Sequence, residues 1–438
     1  MYRLAIEKLK KWHDSPRPKP LIIRGARQVG KTWLMKTFGQ RNYQNIAYIN
    51  FENNKRMQNL FKDDFNVERI LTGLQIESAE VIKSDTLIIF DEVQEVPTAL
   101  TSLKYFQETA PEFHILAAGS ALGVLLHQGA SFPVGKVDFL DLYPLNFVEF
   151  LIATGNQALV DLLKSQDFRL ITDFKTNYID LLRTYYFVGG MPEAVQVYLD
   201  TKNLAQVREV QQRLLLAYEQ DFSKHAPYDQ IPKIRQTWNS IPNQLSRENR
   251  KYVYGLVKKG ARAREFELAL LWLQDSALIQ KVFRVTKPEP PLNVYQDNSA
   301  FKVYILDVGL LSALSQLDAV SILGGNDIFM QFKGALTEQY IFQQLTSDDI
   351  HGLFYWSADN GMAEIDFLLQ KEGKVFPLEV KAEENLQAKS LKVFRQQFNP
   401  HKSIRTSMSD YRDEGWLVNI PLYMMNLVDT LLTHYHQQ

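Results

Sequence analysis

The chain has 438 residues, more than one hydrophobic core usually supports, so two or three domains are expected. With 49 basic against 50 acidic side chains, it lacks the overall positive field of a protein that coats nucleic acid, and any such contact has to come from a local patch. The absence of cysteine excludes disulfides and thiolate metal sites and fits a reducing compartment, and the eight histidines include no H-E-x-x-H pair that would support a zinc protease.

Met1 to Trp12 alternates Leu and Ile with Lys and holds no continuous apolar stretch, and no later run approaches membrane-spanning length. The expectation is a soluble, cytoplasmic protein with no membrane contact. Leu4, Ile6 and Leu9 with Lys8, Lys10 and Lys11 suggest an amphipathic first helix, which the proline-rich Ser15-Pro16-Arg17-Pro18-Lys19-Pro20 ends. Leu21-Ile22-Ile23 then suits a buried parallel strand. It leads into Gly25-Ala26-Arg27-Gln28-Val29-Gly30-Lys31-Thr32, which fits G-x-x-x-x-G-K-[ST], and helical spacing follows from Lys31 to Phe38. Strand, glycine loop and helix in this order form a P-loop. The two glycines let the backbone turn successive N–H groups inward, where with the helix N-terminus they cradle phosphate oxygens. Lys31 is placed to reach the β- and γ-phosphates, and the Thr32 hydroxyl to ligate Mg²⁺.

Ile46 to Phe51 reads as a second strand and Val67 to Leu74 as helix. Thr86-Leu87-Ile88-Ile89-Phe90-Asp91-Glu92 then delivers two carboxylates at the C-terminal edge of a buried strand, the edge where ligands collect in parallel α/β sheets. It looks like a Walker B motif, and it follows the P-loop by about sixty residues, a separation that suits repeated βα units. Asp91 is the candidate for holding Mg²⁺, and Glu92 for orienting and deprotonating an attacking water. Phe113 to Ser120 is another apolar run with a polar end. Ser120 stands where a γ-phosphate sensor belongs, holding the γ-phosphate or the lytic water, and it equally suits the N-cap of a following helix. Lys136 to Leu145 supplies a last strand.

The Walker pair, Gly119-Ser120, Phe132-Pro133-Val134-Gly135-Lys136 and Leu142-Tyr143-Pro144-Leu145 together resemble the AAA+-like P-loop ATP-binding proteins of bacteria and archaea that carry a C-terminal domain of unknown function. The resemblance runs over nearly the whole chain and includes Phe187-Val188-Gly189-Gly190-Met191-Pro192, similar to that family's glycine-glycine-x-proline element in the lid after the ATPase core. It implies ATP with Mg²⁺ as ligand, catalysis by Glu92, Lys31 and Ser120, and a nucleotide-sensing role for the double glycine. Turn chemistry alone also explains Gly189-Gly190 as a helix stop followed by a proline restart. Family members usually carry arginine where Lys136 stands, thought to serve as a sensor or finger; lysine keeps the charge and loses the planar fork.

From Asn156 to about Leu216 the spacing is helical. Ile241 to Val285 suggests a small helical module ending in a hairpin, compatible with a winged helix. Arg247-Glu248-Asn249-Arg250-Lys251-Tyr252-Val253-Tyr254, with Lys258, Lys259, Arg262 and Arg264, is the most basic stretch and has interleaved tyrosines. It reads either as a phosphate-facing surface for DNA or RNA or as a solvated face partly neutralised by Glu248, Glu265 and Glu267. Beyond Lys287-Pro288-Glu289-Pro290-Pro291 and a strand at Lys302 to Asp307, Ile365 to Gln370 and Val375 to Lys381 read as two strands joined by a glycine turn. Period-two geometry puts Glu379 and Lys381 on one face, with Asp366 beside them across the hairpin. Asp366, Glu379 and Lys381, with Glu338 on an upstream helix, resemble the D…E-x-K site of the restriction-endonuclease-like superfamily. The resemblance implies carboxylates that bind Mg²⁺ and a lysine that positions hydroxide.

The expected fold is α/β: a parallel-sheet P-loop core at residues 1–152, a helical lid at 153–235, a winged-helix-like region at 236–300 and a nuclease-like domain at 301–438. The expected activity is ATP hydrolysis coupled to movement of the lid and C-terminal domain, acting on nucleic acid. The competing expectation is a nucleotide-dependent switch that binds a protein partner, turns over negligibly and keeps an inactive C-terminal domain. The sequence is silent on oligomeric state.

Overall fold

The computed structural model describes residues 1–437 apart from 63, 121–122, 124–132, 248–249, 325–329, 349–351, 359–360, 362 and 385–386. Phe132 of the Phe132 to Lys136 element, and Glu248 and Asn249 of the basic stretch, therefore lie outside the described residues. The chain divides into two compact units, Met1–Tyr143 with Asp275–Leu278, and Pro144–Gln274 with Ile279–Gln438. Among the described residues no helix is long and apolar enough to cross a membrane.

The first unit holds β1 (Leu21–Arg24), β2 (Asn45–Asn50), β3 (Thr86–Asp91), β4 (His114–Ala118) and β5 (Asp138–Asp141), in the sheet order β2-β3-β4-β1-β5. Every pairing is parallel. Such a sheet is covered on both faces, so its strands are continuous apolar runs. All six residues of β3 are buried. Phe51, Phe61 and Phe90 pack edge to face beside it, with ring centroids 5.3–5.8 Å apart, the arrangement that aromatic quadrupoles favour.

The second unit begins with helices. Phe147–Ala153 is started by a reciprocal capping box, Asn146 with Glu149, which satisfies two otherwise orphaned N–H groups. Its sheet has the order β12-β13-β11-β10-β9-β8-β6-β7, made from β6 (Ile279–Val285), β7 (Gln296–Ile305), β8 (Phe354–Ser357), β9 (Glu364–Lys371), β10 (Lys374–Val380), β11 (Ser403–Ser407), β12 (Arg412–Asp413) and β13 (Leu417–Pro421). The glycine turn falls where the sequence put it: Lys371 faces Lys374 across the β9–β10 hairpin, with Glu372 and Gly373 at φ 47° and 75°. Two left-handed residues suit the right-handed twist of the strands they join.

The region expected to be winged-helix-like supplies the helices Ile231–Leu245, Tyr254–Val257 and Ala263–Asp275 followed by a hairpin, and that hairpin continues past the expected boundary. Its hairpin, β6 with β7, belongs to the same sheet as β8 to β13, and β7 runs across the expected boundary at residue 300. The reason is non-local: β6 pairs in parallel with β8 through Phe283 and Phe354, a partner far along the chain that no local pattern announces.

Gly189 and Gly190 are required by close packing inside this unit. A Cβ on Gly190 would stand 2.0 Å from the Leu145 carbonyl oxygen, and one on Gly189, at φ 71°, would stand 2.2 Å from Asp307 Oδ1. Asp307 is fully buried. It caps the helix Val308–Leu314 by accepting from the Leu310 N–H, and it accepts from the Gly190 N–H at 2.6 Å. Burial pushes its carboxyl up, against the pull of these bonds. The double glycine is thus explained without any nucleotide. Gly190→Ala should cost at least about 2 kcal/mol, because rigid backbone rather than a mobile side chain fills the space. Urea denaturation followed by circular dichroism checks this, and a variant as stable as the parent contradicts the packing account.

Candidate functional site

The loop from Gly25 to Thr32 leaves β1 and enters the helix Lys31–Asn42. Gly25 has φ 148°, and a Cβ there would stand 2.2 Å from the Leu142 carbonyl oxygen. Gly30 at φ 94° and Gln28 at φ 67° complete the turn. Ala26 and Val29 are buried and anchor it from below. Positive φ at these positions points consecutive amides into one concavity at a helix start, where the helix dipole adds to the attraction for anions.

Lys31 is 6% exposed. Its ammonium donates to the Gly25 and Ala26 carbonyl oxygens at 2.8 and 2.7 Å. Burial lowers its pKa from 10.5 to about 8, with Glu92 and Asp91 pulling it back up through space and Arg27 pushing it further down. Thr32 Oγ1 donates to Asp91 Oδ2 at 2.7 Å, joining residues fifty-nine apart in sequence. Tyr48, on β2, donates to the same oxygen at 2.9 Å, and Asp91 Oδ1 accepts from the Glu92 N–H. Both Asp91 oxygens are thereby aimed by the fold.

Glu92 adopts a left-handed backbone, φ 52°, uncommon for a residue with a Cβ and usually held in place by its surroundings. Here the carboxylate accepts from the Gln94 side-chain amide, and Ser120 Oγ lies 3.5 Å from Glu92 Oε2. Arg27 Nε donates to the same Ser120 hydroxyl at 3.1 Å. The end of β4 lies between the ends of β1 and β3, so Ser120 stands between the glycine loop and the carboxylate pair. The sequence-predicted residues Gly25 to Thr32, Asp91, Glu92 and Ser120 therefore converge. Sequence reasoning missed Gln94 and Tyr48, whose only signal is being polar next to a motif or on the neighbouring strand. Lys136 is not in this group: its ammonium pairs with Glu108 at 2.9 Å, a half-exposed ion pair.

Whether these residues suit a polyphosphate and Mg²⁺ is answered by their chemistry. A buried ammonium bonded to neutral carbonyls has charge left to match an anion, and a hydroxyl beside a carboxylate is an oxygen-only donor set such as Mg²⁺ takes. The residues fit both groups.

The C-terminal constellation also converges, but with company. Glu338 is fully buried on the helix Met330–Ser347. Glu379 pairs with Lys381 at 2.8 Å, and Asp366 Oδ2 accepts from the Val380 N–H at 2.8 Å. Burial pushes the Glu379 carboxyl up, Lys381 opposing it and Asp366 adding to it. The sequence did not foresee Lys302, fully buried on β7, at 3.1 Å from Glu338, 2.6 Å from Glu364 and 3.6 Å from Asp366. Nor did it foresee Arg250, paired with Glu338 and 3.9 Å from Asp366. Among the described residues no group of three or more His, Asp or Glu is arranged to hold a metal ion. This also corrects the basic stretch, since Arg250 is committed inward. Tyr252 is buried and stacks on Phe301 with centroids 5.3 Å apart, whereas Arg247, Lys251, Lys258, Lys259, Arg262 and Arg264 are exposed.

Residues 17–151 match the family described as AAA domain, residues 179–321 a domain of unknown function (DUF8612), and residues 333–423 a second one (DUF4143). No curated protein matches. Among solved structures the chain is similar to the Walker-type ATPase PABY2304 of Pyrococcus abyssi, at 16% identity and TM-score 0.43 over 71% of this chain and 94% of that one. It is also similar to the Aeropyrum pernix ORC1 protein in complex with DNA, at 12% identity and TM-score 0.28 over 73% and 92%. CDC6P from Pyrobaculum aerophilum follows at 10% identity and TM-score 0.25 over 71% and 92%. The family match, the glycine loop and the parallel sheet define an AAA-type P-loop ATPase domain in the first part of the chain.

Lys31 gives a pH dependence whose sign follows from its depressed pKa. Between about 8 and 10.5 the unfolded chain holds a proton that the folded one has lost, so the stability contribution of this residue rises with pH across that window. Below about 8 the charged form costs the fold on the order of 3 kcal/mol, less what its two carbonyl bonds return. Lys31→Met should therefore be more stable than the parent at pH 7 without nucleotide, with the gap closing towards pH ~10.5. Urea denaturation at both pH values checks this; a variant less stable at pH 7 would mean that the carbonyl bonds outweigh desolvation.

Proposed function

We propose that the chain binds ATP with Mg²⁺ in the glycine loop and hydrolyses it by in-line attack of water. The observation that carries the proposal is the Thr32–Asp91 contact at 2.7 Å, which brings the two motifs into one oxygen-lined site beside a buried lysine. The loop amides and Lys31 hold the β- and γ-phosphates, and Thr32 and Asp91 hold the metal. When bound, Mg²⁺ neutralises charge on the phosphates and leaving oxygens. Glu92 takes the proton of the attacking water. Ser120, within reach of Glu92 and Arg27, orients that water or the γ-phosphate, and Gln94 holds the Glu92 carboxylate in position. Hydrolysis then drives movement of the helical region and of the domain that follows it.

Replacing Lys31 by Ala should abolish ATP binding, because the phosphate charge loses its main partner. Glu92→Gln should retain binding within a few-fold and lose ~10²–10⁴-fold in turnover, the range of a general base. Equilibrium binding of a fluorescent ATP analogue and steady-state phosphate release separate the two effects. Equal turnover for Glu92→Gln and the parent removes Glu92 from the mechanism. Negligible turnover in the parent favours the switch that binds a protein partner and uses ATP only as a ligand.

Contact with DNA or RNA is proposed for the exposed cations around Lys258, Lys259 and Arg262. Each phosphate neutralised adds about 0.9 to the slope of log affinity against log salt for duplex DNA. Replacing these three by Ala should flatten that slope by ~2–3 in fluorescence anisotropy with a DNA duplex. An unchanged slope and affinity leaves them as a solvated face.

A further inference from the structure

The resemblance of Glu338, Asp366, Glu379 and Lys381 to a metal-dependent nuclease site requires room for a divalent cation among the carboxylates. Lys302 stands in that room. It is fully buried, its ammonium lies at 3.1, 2.6 and 3.6 Å from Glu338, Glu364 and Asp366, and the Tyr355 ring closes over it at 5.0 Å from the ring centroid. A tetrahedral ammonium has three donors, and here three carboxylates surround it.

Arg250 fills a second side. It comes from the segment before the one-turn helix Tyr254–Val257 and pairs with Glu338. Gly334, one turn before Glu338 on the same helix, leaves the space it uses: a Cβ there would stand 3.0 Å from Arg250 Nη2. The other Glu338 oxygen accepts from the buried Tyr304 hydroxyl. Asp366 spends one oxygen on the Val380 N–H and turns the other towards both cations. Among the described residues of this cluster, Glu338 Oε2 and Glu379 Oε2 are the buried carboxylate oxygens with no hydrogen-bond partner, and Glu338 Oε2 is the one that faces Arg250, whereas Mg²⁺ asks for a near-octahedral set of oxygens.

We infer that this constellation is a closed ion cluster, keyed by Lys302 and Arg250, in place of a divalent-metal site. The cluster ties three parts of the second unit together: the segment before Tyr254, the helix Met330–Ser347 and the β7–β9 face of the sheet. Its role is to lock the helical region to the sheet, and the domain does not cut phosphodiesters by metal chemistry. A buried charge whose partner is removed is strongly destabilising, whereas removing both partners is far less so, and that asymmetry makes the cluster testable.

Two measurements on the full chain decide. In the first, Mn²⁺ is titrated into nucleotide-free parent and Asp366→Asn with electron paramagnetic resonance readout, and both are incubated with circular DNA and Mn²⁺. The ion cluster requires equal Mn²⁺ binding and no Asp366-dependent nicking. An additional Mn²⁺ in the parent, or nicking that Asp366→Asn loses, overturns it. In the second, Arg250→Met should lower the melting temperature by ~5–10 °C, and Arg250→Met with Glu338→Gln should lose clearly less than the two single losses combined. Additive losses overturn the pairing. Lys302→Met should be the more damaging single change. Arg250 lies nearer the rim, so its cycle remains readable if Lys302→Met does not fold.

Discussion

The molecule depends on how it treats charge that it removes from water. Lys31 in the first unit and Lys302 in the second are both almost wholly buried, and the fold answers them in opposite ways. Lys302 is met by three carboxylates, with the Tyr355 ring over it. Lys31 is met by two carbonyl oxygens, and its pKa is held down at about 8. A buried ammonium without a paired anion is a cost to the folded state. Kept in a loop whose amides also point at one spot, it becomes affinity for a ligand that carries negative charge. The same residue type is thus paired with carboxylates in one unit and left with charge unmatched by a contacting anion in the other, and the difference lies in its neighbours.

What the sequence disclosed follows from this contrast. The glycine loop is contiguous, so Gly25 to Thr32 was legible as a site at once. Asp91 and Glu92 were legible because an apolar strand delivered them to the edge where ligands collect in parallel sheets. The β9–β10 hairpin, and with it the approach of Asp366 to Glu379, was legible from period two and a glycine turn. The counter-ions were not. Lys302 lies within the apolar strand Ala300 to Ile305, and a lone lysine there is the one local hint that a buried acid waits nearby. Arg250 read as one more cation in a basic stretch, because local pattern reports composition and not the direction in which a side chain turns.

Gly189 and Gly190 show the same limit from the backbone side. Turn chemistry accounts for a helix stop before Met191-Pro192, but it does not say why a second glycine is needed. The answer lies with Leu145 and with Asp307, more than a hundred residues further along, whose carboxylate accepts from the Gly190 N–H while it caps another helix. A buried carboxylate with several amide donors holds backbone to backbone, so any side chain in between has no place to go.

Sheet order sets where Ser120 stands in the first unit. Adjacent strands lie about 4.8 Å apart, so a strand inserted between β1 and β3 must deliver its last residue between the phosphate loop and the Asp91-Glu92 pair. β4 is that strand, and the Arg27–Ser120 and Ser120–Glu92 contacts at 3.1 and 3.5 Å follow from its position. Had β4 been added at an edge, Ser120 would be remote from both, whatever its identity. The left-handed backbone of Glu92 has the same origin, since β3 ends at Asp91 and the next residue must turn back for its carboxylate to meet Gln94 and Ser120. The strain of about 1 kcal/mol in such a conformation is sustained because a buried strand on one side and the short helix Val93–Glu95 on the other fix where the chain goes. Topology therefore sets the geometry of the candidate site more firmly than any single side chain in it.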